Sequence, residues 1–208
     1  MMEQGNLPTQ RVNISTQKIL GGIGSILILL GLVTEIEILF ILFIVGFVLW
    51  LISIYQLSKK LEKPSIFQKV LIALILDVAV LGFILAVAVT VIAFVLEELM
   101  EGITPYVSMG DEVLADIKWW ILVGIIAAYA ILVVSAYFYK QAYEILAQAT
   151  AHNLFKIAGL LMFIGAITTI LFGLGLLLII VGEIILAVAF FTAPNGRCQL
   201  LVFIGWAG

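Results

Sequence analysis

The sequence predicts an all-α integral membrane protein, a polytopic bundle of six transmembrane helices. Hydrophobic residues make up 64% of the 208-residue chain and charged residues only 11%, whereas soluble domains carry about 25% charged residues. The apolar residues also form runs of roughly 18 or more, the length that a helix needs to cross a bilayer. These runs are continuous and do not alternate, which excludes a β-barrel, and helices satisfy their own backbone polar groups in hydrocarbon.

Six apolar segments supply the predicted spans, and polar segments separate them. In chain order the spans are residues 19–33, 38–57, 70–96, 119–139, 154–171 and 174–192. The transmembrane domain therefore covers residues 18–193. Residues 1–17 form a predicted cytoplasmic tail, and residues 194–208 a tail that lies in the cytoplasm or at the membrane interface.

The basic residues predict the orientation of the spans. Lys118 alone falls on one side of the membrane. The other side receives Arg11, Lys18, Lys59, Lys60, Lys63, Lys69, Lys140, Lys156 and Arg197. Because cytoplasmic loops collect Lys and Arg, we expect both termini in the cytoplasm and the protein in the plasma membrane.

Aromatic residues at the ends of the fourth span support its boundaries. Trp119 and Trp120 open that span, and Tyr137 and Tyr139 close it. Since Trp and Tyr favour the headgroup level, we expect these four side chains to act as interface anchors. The alternative is that they are ordinary helix aromatics.

Two pairs of segments suggest an internal repeat. The stretch "KILGG" (18–22) resembles "KIAGL" (156–160), and "IVGFVLWLI" (44–52) resembles "IVGEIILAV" (180–188). The first and fifth spans have the same direction, so hairpins 1–2 and 5–6 form a parallel repeat in this interpretation. Chance resemblance among Ile, Leu and Gly is the alternative.

Asp77 in the third span and Glu183 in the sixth are the candidate functional residues. Apart from Lys156, the third residue of the fifth span, no Lys, Arg or His falls within a predicted span, so neither carboxyl has a counter-charge in the middle of a span. A central Asp costs roughly 2.5–3.5 kcal/mol on insertion, and an intramembrane acid is a site hypothesis by default. Three interpretations remain open: a proton or cation relay shared by the two residues, polar glue between helices, or placement near the interface.

Small residues at helical spacing are candidates for close helix packing. Gly21 and Ser25 form one such step, and Gly165, Thr169 and Gly173 form another. Gly182 precedes Glu183 and provides room beside that carboxyl. Packing within one chain and packing in a dimer are both consistent with these steps.

No sequence motif indicates an enzyme. The chain lacks a phosphate-binding G-x-x-x-x-G-K-[ST] motif and an H-E-x-x-H motif. The single histidine, His152, predicts no metal site, because such a site needs several ligands, and no cofactor is expected. No basic patch is interleaved with aromatics, so we expect no nucleic-acid partner. The expected partners are the lipid bilayer and either a homo-oligomer or other membrane subunits.

Three segments also carry a resemblance to a known family. The opening "KILGGIGSILILLG", the second span "IVGFVLWLISIYQLS" and the entry "KPSIF" to the third span resemble the mainly archaeal multi-pass family called domain of unknown function 996. The resemblance covers roughly residues 15–193 and implies a multi-pass fold without an assigned activity. The sequence thus predicts a structural or accessory membrane component. The alternative is a small proton- or cation-coupled transporter or channel that uses Asp77 and Glu183.

Overall fold

The computed structural model contains six helices and one short pair of strands. The structure describes residues 11–33, 37–101, 111–170, 173–194 and 196–197. Predictions for the tails at 1–10 and 198–208 and for the loops at 34–36 and 102–110 lie outside these residues. The elements are β1 (Arg11–Val12), α1 (Ser15–Val33), α2 (Glu37–Lys60), α3 (Pro64–Glu101), α4 (Asp111–Thr150), α5 (Leu154–Thr168), α6 (Leu174–Thr192) and β2 (Gly196–Arg197).

Each predicted span coincides with one helix, and α3 and α4 extend furthest beyond their apolar runs. The third helix begins at Pro64, six residues before the predicted span, because proline is well tolerated in the first turn of a helix. The fourth continues eleven residues past Tyr139 to Thr150, through Gln, Ala, Glu and Leu residues that favour helix. The fifth ends at Thr168, three residues before the predicted end.

Four of the described helices contain segments long and apolar enough to cross a bilayer. These segments are Ile41–Lys60, Pro64–Thr90, Trp119–Thr150 and Leu174–Thr192. The apolar stretches Ser15–Gly31 and Leu154–Thr168 are shorter. Length and composition therefore support a helical membrane protein, and four of the described helices meet this criterion for a span.

The helices pack in an order that nearly closes a ring. The chain forms three antiparallel hairpins, α1–α2, α3–α4 and α5–α6. The α4 helix packs against α5, and α6 packs against α1. The contact between α2 and α3 is much smaller, so the α3–α4 hairpin is attached to the rest of the bundle mainly through α5.

One end of the bundle gathers lysines and most of the buried core. Lys60, at the end of α2, donates to the carbonyl of Asn13 before α1 (2.8 Å), and Lys69 of α3 donates to Gln141 of α4. We call this the lysine-rich end. The core beneath it is built from fully buried side chains of several helices, among them Ile14, Ile54, Leu57, Ile66, Val70, Leu146, Phe155 and Phe190.

The two ends of the described chain meet at this same end. Arg11–Val12 pairs antiparallel with Gly196–Arg197, with Arg11 opposite Arg197. The segments that flank α1 and α6 are therefore on one side of the molecule. This arrangement requires an even number of passes between them.

The halves of α3 and α4 remote from the lysine-rich end expose most of their apolar side chains. Ile84 and Val89 of α3 are 52% and 67% exposed, and Ile125 of α4 is 53% exposed. An apolar cavity of about 290 Å³ lies between these halves, and Phe83 and Tyr129 are among its lining residues. In water such a surface would be unfavourable, whereas lipid tails solvate it without penalty.

Candidate functional site at Asp77 and Glu183

Asp77 is held by two hydroxyl groups of the neighbouring helix α4. Its Oδ1 lies 2.5 Å from Ser135 Oγ, and its Oδ2 accepts a hydrogen bond from the Tyr139 hydroxyl at 3.0 Å. Ser135 and Tyr139 are four residues apart, so they lie on the same face of α4. Both carboxyl oxygens of the half-buried Asp77 therefore have partners, and the contact joins α3 to α4.

Ser135 also reaches the backbone of α3, since its Oγ lies 3.1 Å from the Ala73 carbonyl oxygen. A hydroxyl has one proton to donate. An ionised Asp77 accepts a hydrogen bond from the Ser135 hydroxyl. A protonated Asp77 instead donates to Ser135 Oγ, and the Ser135 hydroxyl then donates to the Ala73 carbonyl. The geometry thus satisfies Asp77 with or without its proton, without a counter-charge.

Glu183 has a different environment. It is the middle residue of α6, nine residues from either end of Leu174–Thr192. The residue as a whole is half-buried, but its Oε2 atom is buried and has no hydrogen-bond partner among the described residues. A buried carboxyl oxygen without a hydrogen-bond partner is energetically costly.

Glu183 lines a partly open cavity of about 180 Å³ at the junction of five helices. The eight lining residues are Ile28, Phe43, Phe47, Trp50, Tyr139, Tyr143, Met162 and Glu183. We call this the Glu183 cavity. A second buried polar atom without a hydrogen-bond partner lies on a residue that lines this cavity. This atom is Trp50 Nε1, which has no partner within the described chain. The Tyr143 hydroxyl lies near the Trp50 indole, yet the geometry between them is not that of a hydrogen bond.

Tyr139 connects the two carboxyl environments. Its hydroxyl is bonded to Asp77, and its side chain lines the Glu183 cavity, where its ring centroid lies 6.1 Å from that of Trp50. The role of Tyr139 as an interface anchor stays a prediction, because no membrane boundary is defined around it. Its hydroxyl is used inside the bundle because a carboxyl on α3 is within reach.

Asp77 and Glu183, which a shared relay would bring together, make no direct contact among the described residues. No hydrogen bond joins the two side chains there, and α3 and α6 share no extensive interface. Both oxygens of Asp77 are bonded to α4, as polar glue between helices would be, whereas Glu183 lines a cavity. Within the described residues, Tyr139 links the two, since it is bonded to Asp77 and lines the cavity of Glu183.

The other predicted anchors differ in exposure. Trp119 and Trp120 are 66% and 76% exposed, which suits a lipid-facing position near the start of the fourth span. Tyr137 is 44% exposed, and the Lys140 ammonium lies 6.0 Å from its ring centroid. Their role as anchors stays a prediction, because no membrane boundary is defined around them.

Gly21 and Ser25 both lie in the tight contact surface of α1. A Cβ at Gly21 would meet the Phe190 ring and Ser53 Oγ within 2.7 Å. Ser25 is fully buried, and its Oγ has no partner among the described residues. On α6, Gly182 packs against Met162, whose Cγ would lie 2.9 Å from an added Cβ.

The predicted step in α5 is partly correct. Gly165 packs closely on α6, where an added Cβ would lie 2.8 Å from the Gly175 carbonyl oxygen, and Thr169 Oγ1 donates to Gly165 O at 2.7 Å. No atom of the described residues lies within 4 Å of the Cβ position of Gly173. Gly173 instead begins α6 with a φ of 78°, a left-handed conformation that glycine adopts without strain. Gly175 supplies the close contact.

Sequence reasoning missed three residues of this region: Ser135, Trp50 and Tyr143. A signal for Ser135 was present, since a serine one helical turn before Tyr139 offers two hydroxyls on one helix face. Trp50 and Tyr143 carried no such signal, because single aromatic residues in apolar runs are common. As for metals, the described residues contain no group of three or more His, Cys, Asp or Glu that would hold an ion.

Comparison with known proteins places this chain in a family. Residues 42–184 match the family described as "Protein of unknown function (DUF996)", a range that contains Asp77, Ser135, Tyr139 and Glu183. The chain is also 33% identical over 186 residues to the uncharacterized protein MJ1644 of Methanocaldococcus jannaschii, which covers 89% of this chain and 96% of the relative. No solved structure matches the chain significantly. The match over more than half of the chain and the full-length relative show that this protein belongs to the DUF996 family.

Proposed function

We propose that this protein is a six-span integral membrane protein that serves as a structural or accessory membrane component and is not an enzyme. The observation that carries the proposal is the bonding of Asp77. Both of its carboxyl oxygens are hydrogen-bonded to hydroxyls of α4, so this intramembrane carboxyl joins two helices. Such interhelical bonds contribute about 0.6 kcal/mol on average and up to about 1.7 kcal/mol.

Several features support six passes with both termini in the cytoplasm of a plasma-membrane protein. The β1–β2 pair brings the flanks of α1 and α6 to one end, as an even number of passes requires. Lys60 and Lys69 make their contacts at that same end. Cytoplasmic loops are enriched in lysine and arginine, which favours the lysine-rich end as the inner one.

The proposed repeat of hairpins α1–α2 and α5–α6 is supported by equivalent glycine contacts. Gly46 and Gly182 occupy the same place in the two "IVG" segments. A Cβ on Gly46 would meet the Gly24 carbonyl, six residues after Lys18, and a Cβ on Gly182 would meet Met162, six residues after Lys156. Two copies of one hairpin would share such a contact, whereas the other nearest neighbours, Leu27 for Gly46 and Ala158 for Gly182, do not correspond.

The test compares two substitutions at Asp77. Asp77→Asn keeps an acceptor and adds a donor, so we expect a mild effect on the unfolding free energy in detergent. Asp77→Leu removes both bonds and is expected to cost about 1–3 kcal/mol, from two bonds of the magnitude given above. In proteoliposomes neither variant nor the wild type is expected to carry a proton or cation flux. A flux in the wild type that is lost in a normally folded Asp77→Asn protein would overturn the proposal.

Glu183 supports a second candidate, a small proton- or cation-coupled transporter or channel. An unpartnered carboxyl oxygen beside a cavity is the arrangement expected of an intramembrane ion or proton site. This candidate predicts a pH- or cation-dependent flux that Glu183→Gln abolishes, while Asp77→Asn leaves it in place. Equal flux in wild type and Glu183→Gln would exclude this role for Glu183.

The exposed apolar surfaces of α3 and α4 support the proposed partners, which are lipids and either a second copy or other membrane subunits. Val89 and Ile125 face outward on this hairpin, and lipid tails and apolar helices are both suitable neighbours. Chemical cross-linking in native membranes distinguishes a second copy of this chain from other membrane subunits.

A further inference from the structure

We propose that the Glu183 cavity is a binding site for a small organic ammonium cation, such as a tetramethylammonium-like group. The wall combines one carboxyl with five aromatic side chains, Phe43, Phe47, Trp50, Tyr139 and Tyr143. Aromatic faces attract cations through the ring quadrupole, and aromatic cages are the usual protein site for quaternary ammonium groups. The site concerns binding alone and does not depend on whether the ligand crosses the membrane.

The rings of the wall are not all parallel. Phe43 and Phe47 are stacked, with centroids 6.5 Å apart and an interplanar angle of 14°. The Trp50 ring lies 5.8 Å from the Phe47 ring at 33°, and 6.1 Å from the Tyr139 ring at 59°. The ring planes therefore turn from Phe47 through Trp50 to Tyr139, and a cation in the cavity would lie near more than one ring.

The size of the cavity suits this class of ligand. Its volume is about 180 Å³, and a dry protein cavity of about 150 Å³ is large enough to hold benzene. Tetramethylammonium is of similar bulk. A larger organic cation would have to extend through the open side of the cavity.

The chemistry of the wall favours an organic cation over an inorganic one. Calcium takes about six to eight oxygen ligands, whereas this wall offers the Glu183 carboxyl and two tyrosine hydroxyls, of which that of Tyr139 is already bonded to Asp77. A neutral apolar ligand would leave Glu183 Oε2 unpartnered. A cation with a methylated surface satisfies both the carboxyl and the rings, and no Lys, Arg or His among the lining residues competes for Glu183.

The position of Glu183 favours a free solute over a lipid headgroup. Nine residues separate it from either end of α6, which is about 13–14 Å at ~1.5 Å per residue. A headgroup would have to enter the bundle to that depth with its acyl chains attached. The shared chemistry of the two sources is the trimethylammonium group, so the experiment must distinguish them.

The experiment is a calorimetric titration of the full chain in nanodiscs of phosphatidylglycerol, a lipid without an ammonium group. Tetramethylammonium chloride is the probe, sodium chloride controls for ionic strength, and tert-butanol is a neutral compound of similar shape. We expect saturable binding of the ammonium salt only. Glu183→Gln should weaken it at least tenfold, whereas Glu144→Gln, which removes the same charge from a side chain paired with Lys140 outside the cavity, should change it less than twofold.

A second measurement covers the case in which Glu183→Gln does not fold. Replacing Trp119, Trp120 and Trp206 by Phe leaves Trp50 as the sole tryptophan, with every cavity residue intact. Its fluorescence should change with the same half-saturation as the calorimetric signal. No saturable change, an equal response to tert-butanol or sodium, or unaltered binding by a folded Glu183→Gln protein would overturn the proposal. A lower affinity in discs containing phosphatidylcholine would overturn the choice of a free solute and assign the site to a headgroup.

Discussion

Gly46 of α2 lies against the backbone of α1, so a methyl group added there must force the two helices apart. A Cβ at this position would be 2.8 Å from both the Gly24 carbonyl oxygen and the Ile28 amide nitrogen, and 2.6 Å from Leu27 Cβ, whereas ordinary contact begins at 3.4 Å. None of these atoms can rotate away. Raising the shortest of these separations, 2.6 Å, to 3.4 Å means that Gly46→Ala must move the two helices apart by roughly 0.8 Å.

The expected change in the unfolding free energy of Gly46→Ala is the balance of two opposing effects. Overpacking costs about 1–3 kcal/mol, and replacing a helical glycine by alanine gains about 0.5–1 kcal/mol. We therefore expect Gly46→Ala to destabilise the protein by about 1–2 kcal/mol. Gly82 of α3 is the matched control, because nothing lies within 4 Å of its Cβ position, and Gly82→Ala should stabilise by about 0.5–1 kcal/mol.

The assay is reversible unfolding in mixed micelles by increasing sodium dodecyl sulfate, followed by far-UV circular dichroism. Both variants share the helix-propensity gain, so the difference between their unfolding free energies isolates the steric cost at Gly46. If Gly46→Ala and Gly82→Ala change stability equally, the α1–α2 contact is not as close as the structure indicates.

Three further predictions concern Asp77, the chain turns and the topology. A double-mutant cycle of Asp77→Leu and Tyr139→Phe should give a coupling of about 0.6–1.7 kcal/mol in the same unfolding assay; additive effects would contradict the hydrogen bond. Gly173→Ala should destabilise by about 1–2 kcal/mol at its φ of 78°, whereas Ala151→Gly should stabilise, because Ala151 has a φ of 53°; two changes of the same sign would count against these turns. Reporter tags at the N-terminus and in residues 58–69 should be accessible from the same side of the membrane, and opposite sides would disprove the six-span order.

The number and approximate places of the helices follow from the sequence, because an unbroken apolar run leaves few alternatives to a helix in lipid. Their ends do not follow from hydropathy. Residues 140–150 continue α4 beyond the apolar run, with Ala142, Tyr143, Leu146 and Ala147 buried. That spacing is the pattern of an amphipathic helix face, so the extension was readable from periodicity even though it is too polar for a span.

The candidate site was only half predictable. A carboxyl in an apolar run is visible in any sequence, and both Asp77 and Glu183 were identified in this way. Which helix each one faces depends on the packing order, which a single sequence does not contain. Asp77 meets Ser135 because α3 and α4 form a hairpin, and Glu183 shares a cavity with Trp50 because α1, α2, α4, α5 and α6 converge there.

The close helix contacts within the hairpins were also predictable only in part from the sequence. Gly165 was recognisable as a small residue at helical spacing, but its true partner is Gly175 and not Gly173. The distinction depends on where α5 ends and α6 begins. A one-turn change in that boundary exchanges a turn glycine for a packing glycine.

The unequal helix lengths make this protein sensitive to bilayer thickness. The apolar run of α3 at 70–96 covers 27 residues, that of α4 at 119–139 covers 21 and α6 covers 19, or about 40, 32 and 28 Å at ~1.5 Å per residue. A hydrocarbon layer of ~30 Å fits α4 and α6 nearly upright but is too thin for α3, which must tilt or draw thicker lipid around it. Because Asp77 of α3 is bonded to Tyr139, a change in the tilt of α3 with acyl chain length would act on the aromatic lining beside Glu183.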